Sequence, residues 1–353
     1  MKVLFITNIR ESDSFPFYIQ DFVNKGHEVK ICPIEGMFPR WNLVVRLKRR
    51  FGFNIRNNVQ KRKRNLEGKI LAYVDEFKPD IVCEINCMML NAHCADKIRK
   101  KCFLTAKMID RINFFPEYYE EGFSKHYDVI YTYSLDDYGL INSISNNCVF
   151  IPAMCEEAVY HNDNLKRDID ISFIGKIYPE KDYGDRYKIL CKLVNDMPKL
   201  NIFIGGECAP LRHPKKFIEW HSNPLYKKAF NNKQISKNEC NEIYNKSKIA
   251  ISMERNGTGN SWSGRLVNLF GTNTFVLASD DSEMLKNYFE GCYVHFNNYD
   301  DLKEKIHFYL ENEEKRNRVA NKAYQRIQEL KFDAININMT DDLIAKFKTT
   351  RVI

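Results

Sequence analysis

Residues 253–265, MERNGTGNSWSGR, gather three glycines, a capping serine and one arginine directly behind a β-prone run. Those residue types suit an anion. Free N–H groups at a helix start attract negative charge, and a guanidinium fork in the first turn grips phosphate through two parallel bonds. Ser263 is placed to cap the helix, and Arg265 falls in its first turn. Gly257, Gly259 and Gly264 permit positive φ and close approach of backbone to ligand. A glycine-rich surface turn with a solvated arginine accounts for the same residues. A second stretch, FIGKIYPEKDYGDR (173–186), also follows a strand-like run; Gly175 ends it, and Lys176, Lys181 and Arg186 bring positive charge to the same edge. Arg10, just after the first strand, is a further candidate for phosphate or acceptor.

Proton-transfer groups are sparse. Asp110 closes the apolar run 103–109 and is the candidate catalytic base, with helix capping or a pair with Arg111 as its structural alternative. His126 reads as structural. Asp168 and Asp170 have the spacing of a metal-binding pair but begin a strand, so no metal is expected. The pairs Asp136–Asp137, Asp280–Asp281 and Asp300–Asp301 fit helix starts, where acids are favoured.

Positioning these residues requires strands with helices between them. Apolar runs at 2–7, 28–34, 80–85, 103–109, 128–133 and 148–153 are spaced by helix-sized segments. The alternation restarts at 170–176, 200–206, 248–253, 274–279 and 292–296, with helices near 185–196, 237–247, 263–271, 281–289 and a long one at 299–330. Such alternation predicts α/β architecture with two doubly wound parallel sheets. The expected division is residues 1–152, a linker 153–168, a second domain 169–330, and a tail 331–353 returning to the first domain. Residues 207–235 read as irregular.

The chain has 353 residues and a formal charge of +8. Residues 40–64 hold ten Lys/Arg and no acid, so the remainder sums to 54 − 46 − 10 = −2. That one basic segment, with Trp41, Val44, Leu47 and Phe51 on one helical side, suits an anionic membrane surface or an acidic acceptor. A solvated basic face is the plain alternative. No aromatic-interleaved pattern supports nucleic acid. Eleven cysteines without a Cys-x-x-Cys pair, and no apolar run of membrane-spanning length, point to a cytoplasmic protein, with peripheral contact at the inner membrane face through 40–64.

DISFIGKIYPEKDYGDR, NEIYNKSKIAISMER, GRLVNLFGTNTFVLASD and the segment 284–323 together resemble the nucleotide-sugar domain of GT-B glycosyltransferases. The similarity is to the CgeB-like subgroup and, more distantly, to glycosyltransferase family 4. NKGHEVKI, FKPDIVCEI, MIDRINFF, YDVIYTYSLDD and IPAMCEEAVYH resemble the amino-terminal half of such enzymes. The resemblance implies two Rossmann-like domains facing across a cleft, and a UDP- or GDP-sugar donor with no metal. It also implies transfer to a glycan or lipid-linked acceptor, as in bacterial surface polysaccharide synthesis, with retention at the anomeric carbon. Arg265 and Arg186 would meet the donor diphosphate. Asn260 and Asn268 stand where family 4 carries two glutamates, and Asn268 would meet the ribose. An epimerase or hydrolase of the same fold, or a non-catalytic glycan- or membrane-binding relative, are the alternatives.

Overall fold

The structure is a computed structural model that describes residues 1–7, 16–34, 53–177, 185–206, 218, 221–231, 233–254 and 259–351. Arg10, Lys181, Gly257 and the apolar side of the basic segment lie outside the described residues.

The first unit comprises Met1–Pro152 and Ile337–Ile353. Its elements are β1 (Lys2–Thr7), α1 (Phe17–Asn24), β2 (Glu28–Pro33), α2 (Arg56–Phe77), β3 (Ile81–Ile85), α3 (Ala92–Arg99), β4 (Phe103–Lys107), β5 (Val129–Thr132), α4 (Leu135–Ser145) and β6 (Cys148–Phe150). The strands form one parallel sheet in the order β2-β1-β3-β4-β5-β6. The inner strands β1, β3, β4 and β5 are buried on both faces, which explains continuous apolar runs such as IVCEI where an alternating pattern would mark a one-sided sheet.

The second unit, Ala153–Asn336, repeats the plan. It contains β7 (Ile169–Ile174), α5 (Arg186–Asp196), β8 (Ile202–Gly205), α6 (Pro224–Ala229), β9 (Phe230–Asn231), α7 (Lys237–Lys246), β10 (Ser247–Ser252), α8 (Gly264–Gly271), β11 (Phe275–Ala278), α9 (Glu283–Phe289), β12 (Val294–His295), α10 (Tyr299–Glu311) and α11 (Glu313–Leu330). The sheet is again parallel, in the order β12-β11-β10-β7-β8-β9. The chain then returns to the first unit as α12 (Met339–Arg351), where Met339 and Leu343 join the core of Val3, Phe5, Ile81 and Tyr131.

Three expectations change. The helix expected over 299–330 is two helices, broken at Asn312. There Arg316 donates to the carbonyls of Tyr309 (2.7 Å) and Leu310 (3.4 Å), satisfying acceptors that the end of α10 leaves open. Within the stretch read as irregular, α6 and β9 form, too short to leave a periodic signal. Residues 153–168, read as a linker, pack onto the second unit. Half-buried Arg167 donates to the carbonyls of Tyr244, Ser247, Thr272 and Asn273, and His161 N and Asp163 N donate to Asn241 and Asn245.

Candidate functional site

The carboxy-terminal sheet reverses its winding between β7 and β10, since β8 and β9 add on one side and β11 and β12 on the other. Open α/β sheets bind ligands at the carboxyl ends of the strands beside such a reversal. Gly175 follows β7 there, and Met253 and Glu254 follow β10. Arg265 straddles the two. It donates to Ile174 O (3.2 Å), Met253 O (2.8 Å) and Glu254 Oε1 (3.1 Å), and stacks 5.6 Å from the Phe173 ring centre. Its Nε is buried and has no hydrogen-bond partner among the described residues.

This approach depends on Gly175. A Cβ there would come within 2.6 Å of Arg265 Nη1 and 3.2 Å of the Phe173 ring. The neighbouring strand end is equally tight: Gly206, at φ +123°, would drive a Cβ to 2.1 Å from Gly175 O. Gly264 opens α8 with no described atom within 4 Å of where a Cβ would stand.

Ser263 caps α8 as expected, accepting from Leu266 N. Its hydroxyl also donates to Glu254 Oε1 at 2.6 Å. Glu254 is a site residue that the sequence reading missed. Burial pushes its carboxyl up, but Arg265, Ser263 and Arg186 outweigh burial, and the net direction is below the ordinary carboxylate range. Arg186 begins α5, is buried, and donates to Lys176 O at 3.2 Å. Lys176 exposes its side chain beside it.

Asp280 is the second missed residue. It follows β11, adjacent to β10, and was read as part of a helix start; Ser282 caps α9 instead. Burial, then the charge of Glu254, raises its carboxyl to about 6. Its Oδ2 is buried and accepts no hydrogen bond among the described residues. The sequence offered no signal for either carboxylate, because their meeting depends on β10 and β11 being neighbours. Both place negative charge beside the cations: Arg265 and Arg186 act on Glu254, whose charge in turn reaches Asp280.

The two asparagines each accept from a backbone N–H. Asn268 Oδ1 accepts from Glu156 N (3.1 Å) and so fastens the 153–168 segment to α8. Asn260 Oδ1 accepts from Met284 N (2.8 Å) in the first turn of α9.

Asp110 belongs to the first unit, just beyond β4. Asn86 grips it: Asn86 Oδ1 accepts from Ile109 N (2.6 Å) and Asp110 N (2.9 Å), and Asn86 Nδ2 donates to Asp110 Oδ2 (3.0 Å). Arg111 pairs with Asp136 at 2.7 Å. Asn86 and Cys87 hold left-handed φ of 71° and 54°, a strained pair secured by buried Glu84. Glu84 accepts from Tyr127 Oη, Met89 N and Leu90 N, and Tyr119 Oη donates to Asn86 O. His126 pairs with Asp96 at 2.7 Å, and Asp170 with Lys248 at 2.7 Å. The basic segment is partly structural: Lys63 is buried and donates to Tyr118 O (2.7 Å), and Arg56 reaches Tyr119 O (3.3 Å). No helix among the described residues is long and apolar enough to cross a membrane.

Residues 186–333 match the sequence family described as "Glycosyl transferase-like". No curated protein matches the chain in sequence. Among solved structures, sucrose-phosphate synthase from Thermosynechococcus elongatus is similar over 99% of this chain and 100% of its own, with a TM-score of 0.70 and 12% identity. A glycosyltransferase from Rickettsia africae matches over 99% and 98%, at 0.64 and 13% identity. Anabaena HepE, solved in complex with UDP-glucose, matches over 98% and 100%, at 0.63 and 12% identity. The chain thus has the two Rossmann-like domains of the GT-B fold and carries, over residues 186–333, a glycosyl transferase-like segment.

Proposed function

We propose that this protein is a glycosyltransferase that takes a nucleoside-diphosphate sugar in its carboxy-terminal unit. The observation that carries the reading is Arg265 pinned across the β7–β10 reversal against Gly175, with Arg186 beside it and Glu254 between the two guanidinium groups in charge. Preorganised cations stabilise the charge that develops as the sugar C1–O bond breaks and the diphosphate leaves with its electron pair. The acceptor hydroxyl oxygen forms the new glycosidic bond and gives up its proton. Asp110, held by Asn86, is the proposed base, and Lys176 and Lys181 add charge for the phosphates. Asp280 Oδ2, an unused acceptor, would take a hydroxyl of the donor ribose or sugar. The likeness to HepE, solved with UDP-glucose, supports a UDP-sugar. A glycan or lipid-linked acceptor, retention of configuration, independence from metal, the CgeB-like placement and peripheral contact with an anionic membrane through 40–64 belong to the same proposal.

Calorimetric titration with UDP, GDP and their sugars tests it. One nucleotide should bind, and Arg265→Ala should weaken it by about 10–100-fold, the loss of a charged, desolvated contact. Absence of binding by every nucleotide would leave a non-catalytic relative. Turnover of the donor without an acceptor, at a rate no acceptor raises, would favour a hydrolase or epimerase.

A further inference from the structure

A guanidinium grips phosphate through two parallel N–H bonds, from Nε and Nη2 or from Nη1 and Nη2, so both forks share Nη2. Arg265 Nη2 already donates twice, to Met253 O (2.8 Å) and to Glu254 Oε1 (3.1 Å), and Nη1 donates to Ile174 O (3.2 Å). A phosphate can take either fork only where Nη2 gives up one of its two partners. Met253 O is main chain, directly after β10, and is held by the strand end. The Glu254 carboxylate is carried on a side chain. Ser263 Oγ (2.6 Å) and Ser252 Oγ (3.2 Å) donate to the same oxygen and can keep it once Nη2 turns away. Solvent reaches the pair, with 19% of the Arg265 side chain and 13% of the Glu254 side chain exposed.

We infer that Glu254 is an internal stand-in for the donor phosphate: its carboxylate holds Arg265 in the free protein and yields Nη2 when the donor binds. This rests on the donor reading and adds to it an anion, built into the site, that competes with the donor. A proton follows from the exchange. The groups that face the Glu254 carboxylate are Arg265, Arg186 and Asp280, with the hydroxyls of Ser252 and Ser263. Burial pushes the carboxyl up, and Arg265, Ser263 and Arg186 together hold it below the ordinary range. With phosphate on Nη2, burial and the new negative charge prevail, and the carboxylate takes a proton from water. Donor binding is then coupled to proton uptake, and affinity rises as pH falls.

Calorimetry on the full chain with UDP-glucose and GDP-mannose tests this, since their phosphates exchange no proton near neutrality. Titrations in two buffers of different ionisation enthalpy count the protons. Glu254→Gln keeps the shape and the serine bonds without the charge, and should bind one of the two nucleotide sugars about tenfold more tightly; damage to the fold would only loosen binding. Wild-type protein should take up protons as it binds, Asp280→Asn should still do so, and Glu254→Gln should not. Equal or weaker binding by Glu254→Gln at unchanged melting temperature overturns the stand-in and leaves the donor reading in place. So does a wild type that takes up no proton, or an uptake that Asp280→Asn abolishes. If Glu254→Gln melts low, the proton counts of the wild type and Asp280→Asn decide alone. Binding of neither nucleotide sugar by any of the three proteins overturns the donor reading, and the stand-in with it.

Discussion

Gly175 and Arg265 are a matched pair, because the guanidinium occupies the space where any larger residue would place its Cβ. Gly175→Ala should displace Arg265, cost about 1–3 kcal/mol of stability through overpacking, and weaken nucleotide binding as Arg265→Ala does; denaturant melts and titration read the two effects separately. Asp280 makes an opposite prediction. Folded, its carboxyl keeps its proton up to about pH 6, well above the usual aspartate range, so the folded state binds the extra proton and stability falls as pH rises through that window. Asp137, raised to about 6 mainly by burial, acts in the same direction. Asp280→Asn should therefore raise Tm by roughly 2 °C at pH 7.5, leave it unchanged near pH 4, and weaken donor binding. A melting curve at both pH values decides it. A strand-ending glycine and a Ser-Gly-Arg helix start are local patterns, which is why Gly175, Ser263 and Arg265 could be read directly from the chain. Asp280 and Asn86 could not, since each meets its partners across neighbouring strands, and Glu254 could not because the loop between it and its partners Ser263 and Arg265 carries no periodic signal.

At the level of elements, the strands and most helices were legible, because parallel sheets buried on both faces write continuous apolar runs. The break at Asn312 was not: the polar pattern runs on through it, and the capping partner Arg316 lies inside the next helix. Nor did the 153–168 segment announce its attachment, because one guanidinium does much of that work. Arg167, half-buried, donates to four carbonyls and Thr274 Oγ1, and its desolvation draws its pKa down to about 10. Arg167→Ala should destabilise the carboxy-terminal unit by about 3 kcal/mol, since it strips partners from buried acceptors. Faster amide hydrogen exchange at β10 and at the start of β11 would report it. Ser263→Ala removes both a helix cap and a donor to Glu254, and should cost about 1 kcal/mol while loosening the Arg265–Glu254 pair.

For the molecule as a whole, the described chain crosses between units twice, near Pro152 and again near Asn336. Deleting 337–353 removes Leu343 and Met339 from the apolar face that they cover on the first sheet. That truncation should lower the melting transition of the amino-terminal unit and leave that of residues 153–336 in place, as two-transition calorimetry would show. The same connectivity has a consequence for biosynthesis. A ribosome releases the amino-terminal unit's last helix only after the entire carboxy-terminal unit has emerged, so the later-made half can finish folding while the earlier-made half still waits for its closing piece. A nascent chain stalled before residue 337 would then hold a completed second half beside a first half with an uncovered oily face, the interval in which chaperone protection matters most.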